Sequence, residues 1–287
     1  GIADAIDALD AARRQVNCCP LGTAAGYGVN LPLDRDGVAA ELGFDSIVIN
    51  PVAAQASRGI VEVGLLTAAW QLMATIRRFA WDVSLFTTSE MAFVQLDPAL
   101  TTGSSIMPNK RNPDVIELMR GACAVVQGAI SELFGTLSLP SGYHRDAQLT
   151  KAPLMRALDE TLATTRMLAT VVAGIRFDRE RMRAAISKET FATDRAVELS
   201  AGGMPFRDAY RKVADELESL EGDADKSLAA RTSAGACADL RLEAIRARVV
   251  AAGQNPVWGR NSRHLIYSSG SSLNLLDVQN GRSTTIV

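Results

Sequence analysis

The pattern that most constrains this chain is a run of apolar residues at helical spacing, too long for an ordinary surface element. From about Gln55 to Phe86, residues such as Ile60, Val63, Leu66, Trp70, Met73, Ala74 and Trp81 follow the turns of a helix. Its apolar residues occupy more than one face, which places it inside a bundle or at a subunit interface. A second run follows Asp114, with Ile116, Met119, Ala122, Val126, Ile130 and Leu133 in register. A third spans approximately Pro153 to Ile175, through Leu154, Leu158, Leu162, Leu168 and Val171. Three long helices with short connections imply a mainly α chain built on an extended bundle.

The rest of the chain changes texture. Phe177 to Val250 reads as shorter helices, over Asp178–Ile186, Ala192–Ser200, from near Pro205, and over Arg241–Val250. Gly202-Gly203 breaks the pattern, and the polar stretch Glu221–Ala236 reads as a surface linker. After residue 252 the sequence alternates like strands, with Asn280-Gly281 a strong hairpin turn. This tail resembles one blade of a WD40-like (TolB-type) β-propeller. Three regions are therefore expected: a helical bundle over 1–175, a small helical domain over 176–252, and a β tail over 253–287.

Composition narrows the function classes. Charged residues make up 22% and the formal net charge is -2, so no basic surface points to nucleic acid. Aromatics are 5%, too few for a base-stacking binder. The long runs are interrupted by Glu, Arg or Asp, and are read as non-membrane. Cys18, Cys19, Cys123 and Cys237 lack metal-ligand spacing, and the chain's histidines are His144 and His264. No metal or organic cofactor is expected, and buried thiols suit a reducing cytoplasm.

Chemistry concentrates between Thr101 and Asp114. Gly103 and Pro108 flank a loop carrying Ser104 and Ser105, with Lys110 six residues after Ser104. Asn112 is a suitable N-cap and Pro113 a suitable first helical residue, with Asp114 and Glu117 in the opening turns. Free amides at the helix start, with Lys110, form an anion site. Such positive potential favours the deprotonated form of a serine hydroxyl. The residues alone leave a second reading open, an ordinary Ser/Gly/Pro surface loop ahead of a capped helix.

The stretch Gly103-Ser104-Ser105-Ile106-Met107-Pro108-Asn109-Lys110-Arg111-Asn112 fills every fixed position of G-S-S-x-M-P-x-K-x-N. It resembles the signature loop of the fumarase/aspartase superfamily, whose members cleave C–N or C–O bonds and release fumarate. Asn112-Pro113-Asp114, and the Tyr143, Asp146, Gln148, Lys151 spacing, are similar to the argininosuccinate lyase branch. Pro20–Gly26, Leu33-Asp34-Arg35 and Pro205–Tyr210 extend the resemblance over approximately residues 1–250.

The resemblance implies β-elimination of fumarate from argininosuccinate to give arginine, in a cytoplasmic homotetramer. It implies Ser104 as the base, Lys110 as charge stabiliser, Asn112 orienting loop or ligand, and Glu117 pairing with a proton-transfer histidine. That histidine lies, in the family, in a portion preceding the residues matched here. Ser105, Arg58, Tyr143, Gln148 and Lys151 are the implied substrate-binding set. Arg58 stands in Ser57-Arg58-Gly59, where the family usually has Asp-Arg-Asp. The loop is expected to close on substrate, with Gly103 and the prolines as hinges. Two alternatives remain: a lyase of adenylosuccinate, aspartase or fumarase type, or an inactive truncated or scaffold homologue.

Overall fold

A computed structural model describes residues 1–252 and the strands Val257–Trp258, His264–Ser269, Ser272–Asp277 and Arg282–Thr285. The described helices are α1 (Ile2–Val16), α2 (Arg35–Glu41), α3 (Pro51–Ala56), α4 (Ile60–Phe86), α5 (Asp114–Thr136) and α6 (Lys151–Ala173). They continue as α7 (Arg179–Ala184), α8 (Ala192–Ala201), α9 (Phe206–Asp215), α10 (Ala224–Ala230) and α11 (Leu242–Ala252). The chain divides into two compact units. The first comprises Gly1–Leu85, Leu96–Ile175 and Arg246–Val287, the second Phe86–Gln95 and Arg176–Ile245.

In the first unit, α1, α4, α5 and α6 form an antiparallel array whose directions follow from individual contacts. Gln15 of α1 lies against Gly64 of α4 and Gly1, its N-cap, against Thr75, so α1 runs opposite to α4. Trp81 meets Arg120, whereas Gly59 meets Leu137, so α4 and α5 also run oppositely. Arg156 of α6 binds Glu132 near the end of α5, which reverses the direction again. Leu66, Met73 and Ile76 of α4, Ile116, Val126 and Leu133 of α5, and Val171 of α6 are fully buried. Ala69, Ala80, Ala129 and Ala157 are buried completely too. Their small side chains let the helix axes approach closely, which is the use this chain makes of its alanines.

Several boundaries differ from the sequence reading. The run expected from Gln55 to Phe86 is two helices, α3 and α4, broken at Ser57–Gly59. Gly59 takes φ +84, a left-handed conformation that ends one helix before the next begins. Helix α5 starts at Asp114 with Pro113 as its N-cap, rather than with Asn112 in that role. The reason is that Asn112 is committed to a strand pair with Thr102. The stretch Glu221–Ala236 is not simply a linker, because it contains α10, capped by the Asp223 carboxylate. By length and apolarity α4 is also capable of crossing a membrane, contrary to the earlier reading of the runs. Its buried row from Leu66 to Val83 is instead part of the bundle core.

Within the second unit, the Arg183 guanidinium holds both Asp225 oxygens at 2.6 and 2.7 Å. Ser227 and Arg231 both donate to Asp194 of α8. These bonds explain why a polar, Ala-rich segment becomes ordered helix. The Arg181 side chain donates to the carbonyls of Met91 and Ser89, tying down the 86–95 segment. The core of this unit is small, centred on Ala196, Ala209 and Val213.

The tail strands form one antiparallel sheet in the order Arg282–Thr285, Ser272–Asp277, His264–Ser269, Val257–Trp258. His264 pairs with Asp277 and Ser269 with Ser272. The Asn280-Gly281 turn lies outside the described residues.

Candidate active site

The signature loop is the tip of a short hairpin. Thr102–Gly103 pairs antiparallel with Arg111–Asn112, with Thr102 opposite Asn112 and Gly103 opposite Arg111. At the base, the Thr102 hydroxyl donates to the Asp114 carboxylate in the first turn of α5. Within the tip, the Ser104 hydroxyl oxygen accepts backbone N–H bonds from Ile106 at 3.2 Å and Met107 at 3.1 Å. The Lys110 amide closes the tip by donating to the Met107 carbonyl at 3.1 Å. Ser105, Lys110 and Ile106 are exposed, and Ser104 is half-buried. Two N–H donors on Ser104 Oγ favour its charged form over the neutral hydroxyl. Gly103 keeps ordinary strand geometry and takes part in the ladder.

One turn into α5, Glu117 lies 3.6 Å from the Arg120 guanidinium. Arg120 in turn stacks over the Trp81 ring, with its Cζ 4.3 Å from the centroid. Glu117 is therefore held from one side and open on the other, with half its side-chain surface exposed.

A second cluster forms elsewhere. Arg58 lies over the Tyr143 ring, 5.4 Å from its centroid, so the structure joins two residues that are 85 positions apart in sequence. Beside them is a cleft of about 340 Å³, lined by residues that include Gln55, Arg58, Leu137, Ser141, His144 and Thr150. Gln148 sits in the 3-10 turn Arg145–Thr150, and Lys151 is the first residue of α6. The His144 ring Nε2 is 3.2 Å from the Ser141 carbonyl.

The support of Arg58 was not foreseen from sequence. The Glu62 carboxylate accepts the Gly59 N–H at 2.6 Å and the buried Thr150 hydroxyl at 3.4 Å. It thus caps α4 and ties that helix to the start of α6. The signal was available: Glu62 stands three residues after Gly59, the spacing of a capping box. Nearby, Gly22, Ala24, Ala25, Gly26 and Gly28 all have positive φ. This run packs against α3, with Gly26 near Gln55. Arg35 fastens the same region by donating to the carbonyls of Leu21, Ile49 and Val48. Successive left-handed alanines cost free energy and persist only where the surroundings impose them.

The two clusters do not meet within one chain. The signature loop sits at the start of α5, and the Arg58–Tyr143 cleft at its end, beside Thr136 and Leu137. Helix α5 has 23 residues, so it spans about 33 Å at a rise of 1.5 Å per residue. The loop tip reaches at most about four residues past its ladder, roughly 13 Å if extended. A gap of about 20 Å remains by these two dimensions.

The long-helix bundle of this chain is a fold also seen in solved enzymes. Two solved structures share it: EDDS lyase in complex with formate and class II fumarase from Schistosoma mansoni. The first has a TM-score of 0.70 at 24% identity, covering 87% of this chain and 57% of that one. The second has a TM-score of 0.60 at 18% identity, covering 76% and 54%. Residues 3–128 match the Lyase family. Among curated relatives, argininosuccinate lyase from Sorangium cellulosum (strain So ce56) is 62% identical over 250 residues, 87% of this chain and 58% of that protein. Argininosuccinate lyase from Xylella fastidiosa (strain 9a5c) is 51% identical over 235 residues, 81% and 53%. The chain thus spans a little over half the length of these relatives.

Proposed function

We propose that the protein from which these residues come is a carbon–nitrogen lyase that splits argininosuccinate into fumarate and arginine. The observation that carries this reading is Ser104, whose hydroxyl oxygen is already bonded by two backbone amides. Those donors stabilise the alkoxide, so Ser104 can take a proton from the carbon next to a carboxylate. The electron pair left on that carbon spreads into the carboxylate, where Lys110 and the loop amides offset the charge. Expulsion of the C–N bond then forms the alkene of fumarate, and the leaving nitrogen takes a proton as arginine departs. Glu117, fixed by Arg120, is placed to hold the proton-transfer histidine that the family resemblance implies. Asn112 orients the loop, while Ser105, Arg58, Tyr143, Gln148 and Lys151 hold the substrate.

The separation along α5 supports a homo-oligomer, in which one copy's loop meets another copy's cleft. Large apolar side chains left open on the bundle, including Leu118 and Phe134 of α5 and Trp81 of α4, suit burial between copies. A tetramer working in the cytoplasm is the form we infer. The sheet order of the tail supports its likeness to a propeller blade. Deleting residues 253–287 should then leave both fumarate release and the melting of the helical units unchanged.

The test is fumarate formation from argininosuccinate, measured for the protein and for Ser104→Ala. Loss of at least a hundredfold in Ser104→Ala is expected, as for removal of a general base. Cleavage of adenylosuccinate but not argininosuccinate would reject the substrate. Equal rates for both proteins would reject Ser104 as the base.

A further inference from the structure

The signature hairpin has a ladder of only two residues on each side, Thr102–Gly103 and Arg111–Asn112. A hairpin this short is not stable by its own backbone bonds. The hairpin also lacks packing: Ile106 at its tip is 86% exposed, and a side chain added at Gly103 in the ladder would meet nothing within 4 Å. Yet Ser104 becomes a base only when Ile106 and Met107 are turned back to donate to it. Something outside the ladder must hold that arrangement.

We infer that Thr102 and Asp114 are positioning residues that latch the loop and so set how often Ser104 carries both amide bonds. The Thr102 hydroxyl donates to the Asp114 carboxylate across the hairpin base. Asp114 begins α5, whose next turns are anchored by the buried Ile116 and Met119. The latch therefore ties the strand leading into Ser104 to the first turn of α5. Thr102 is two residues before Ser104, so release of the hydroxyl frees the strand that carries the base. A carboxylate acceptor makes this bond stronger than one between neutral groups. Asp114 also lies in the first turn of α5, at the positive end of the helix dipole. This inference rests on the role proposed for Ser104 only for its catalytic meaning; the latch itself is a property of the chain.

Amide hydrogen exchange on the intact chain tests it directly. In Thr102→Val the hydroxyl is lost with little change in shape. Exchange at Ile106 and Met107 should then quicken roughly three- to tenfold, the loss of one modest hydrogen bond. Interior α5 amides such as Met119 and Ala122 should not change, and Thr102→Ser should restore slow exchange. Ser104→Ala sets the fully released limit for the same two amides. Unchanged exchange in Thr102→Val overturns the latch. So does failure of Thr102→Ser to rescue, or equal quickening along α5, which would mark a frayed helix. In the fumarate assay Thr102→Val should lower kcat more than it raises KM, with recovery in Thr102→Ser. Exchange that responds as expected, in a protein that releases no fumarate, would leave the latch standing and remove the proposed reaction.

Discussion

Substituting Gly59 by alanine separates backbone conformation from packing at the foot of the cleft. Gly59 has φ +84, where a side chain costs about 1–2 kcal/mol. Its Cβ would fall 2.2 Å from Leu137 Cδ2 and 3.1 Å from Leu137 Cγ. Overlap of that kind adds about 1–3 kcal/mol, because the leucine must move with its neighbours. Gly59→Ala should therefore lose about 2–5 kcal/mol in urea unfolding, a large share of a typical domain's stability. Leu137→Ala removes the obstructing atoms. In the double variant the cost of alanine at 59 should shrink to the backbone part alone. The two substitutions then couple by about 1–3 kcal/mol. A loss under about 0.5 kcal/mol in Gly59→Ala would refute the left-handed assignment. Strict additivity would refute the contact with Leu137. Because Gly59 directly follows Arg58, the same variant should move the guanidinium off the Tyr143 ring, seen as a shift in the Tyr143 ring resonances.

Arg35→Met removes donors to three backbone carbonyls and should cost about 2–4 kcal/mol, read as a lower urea midpoint. Trp81→Leu takes the ring from beneath Arg120; a loss of about 0.5–1 kcal/mol attributable to that contact, isolated by a double-mutant cycle with Arg120→Met, is expected. The Arg183 guanidinium, forked onto Asp225, holds the Asp225 carboxyl below the usual carboxylate range. Its depressed folded value means the contribution is present above the unfolded value, near about 3.9, and is lost as pH falls through the folded one. An NMR titration should show the Asp225 carboxyl moving up to the ordinary range in Arg183→Gln. Burial pushes the Cys123 thiol up, partly opposed by Arg77, so a thiol reagent should modify exposed Cys237 at once and Cys123 only on unfolding.

The bundle was legible because its signal is repeated: every turn of α4, α5 and α6 adds another apolar residue at the same spacing. Single residues that interrupt a helix are less visible. Gly59 lies within an otherwise helical run, and its left-handed turn depends on Glu62 and Leu137, which spacing alone does not bring together. Asn112 has the right chemistry for a cap, but pairing with Thr102 takes its backbone first. Helix α10 was hidden because its stabilising partners, Asp194 and Arg183, are more than thirty residues away in sequence. The loop motif located Ser104 and Lys110 but carried no information on Arg120, which pairs directly with Glu117 and rests on a ring contributed by another helix.

The arrangement along α5 has a consequence for how activity must be measured. Loop and cleft stand at opposite ends of a helix about 33 Å long. An extended substrate of about a dozen backbone-like bonds spans roughly half that distance. Allowing for the loop's reach, the remaining gap of about 20 Å still exceeds that span, so in the homo-oligomer proposed above Ser104 of one copy and Tyr143 of another meet the same molecule. If copies complete one another's sites, Ser104→Ala and Tyr143→Phe damage different chains of the same site. Some mixed assemblies then contain a site in which both residues are intact. Co-refolding the two inactive variants should restore part of the fumarate release, with a yield that peaks near equal proportions. Mixing without refolding should restore less if the subunits exchange slowly. Absence of any recovery after co-refolding, in assemblies shown by mass to contain both variants, would place loop and cleft in one copy's site. The helical path between them would then have to bend far more than the buried row from Ile116 to Leu133 allows.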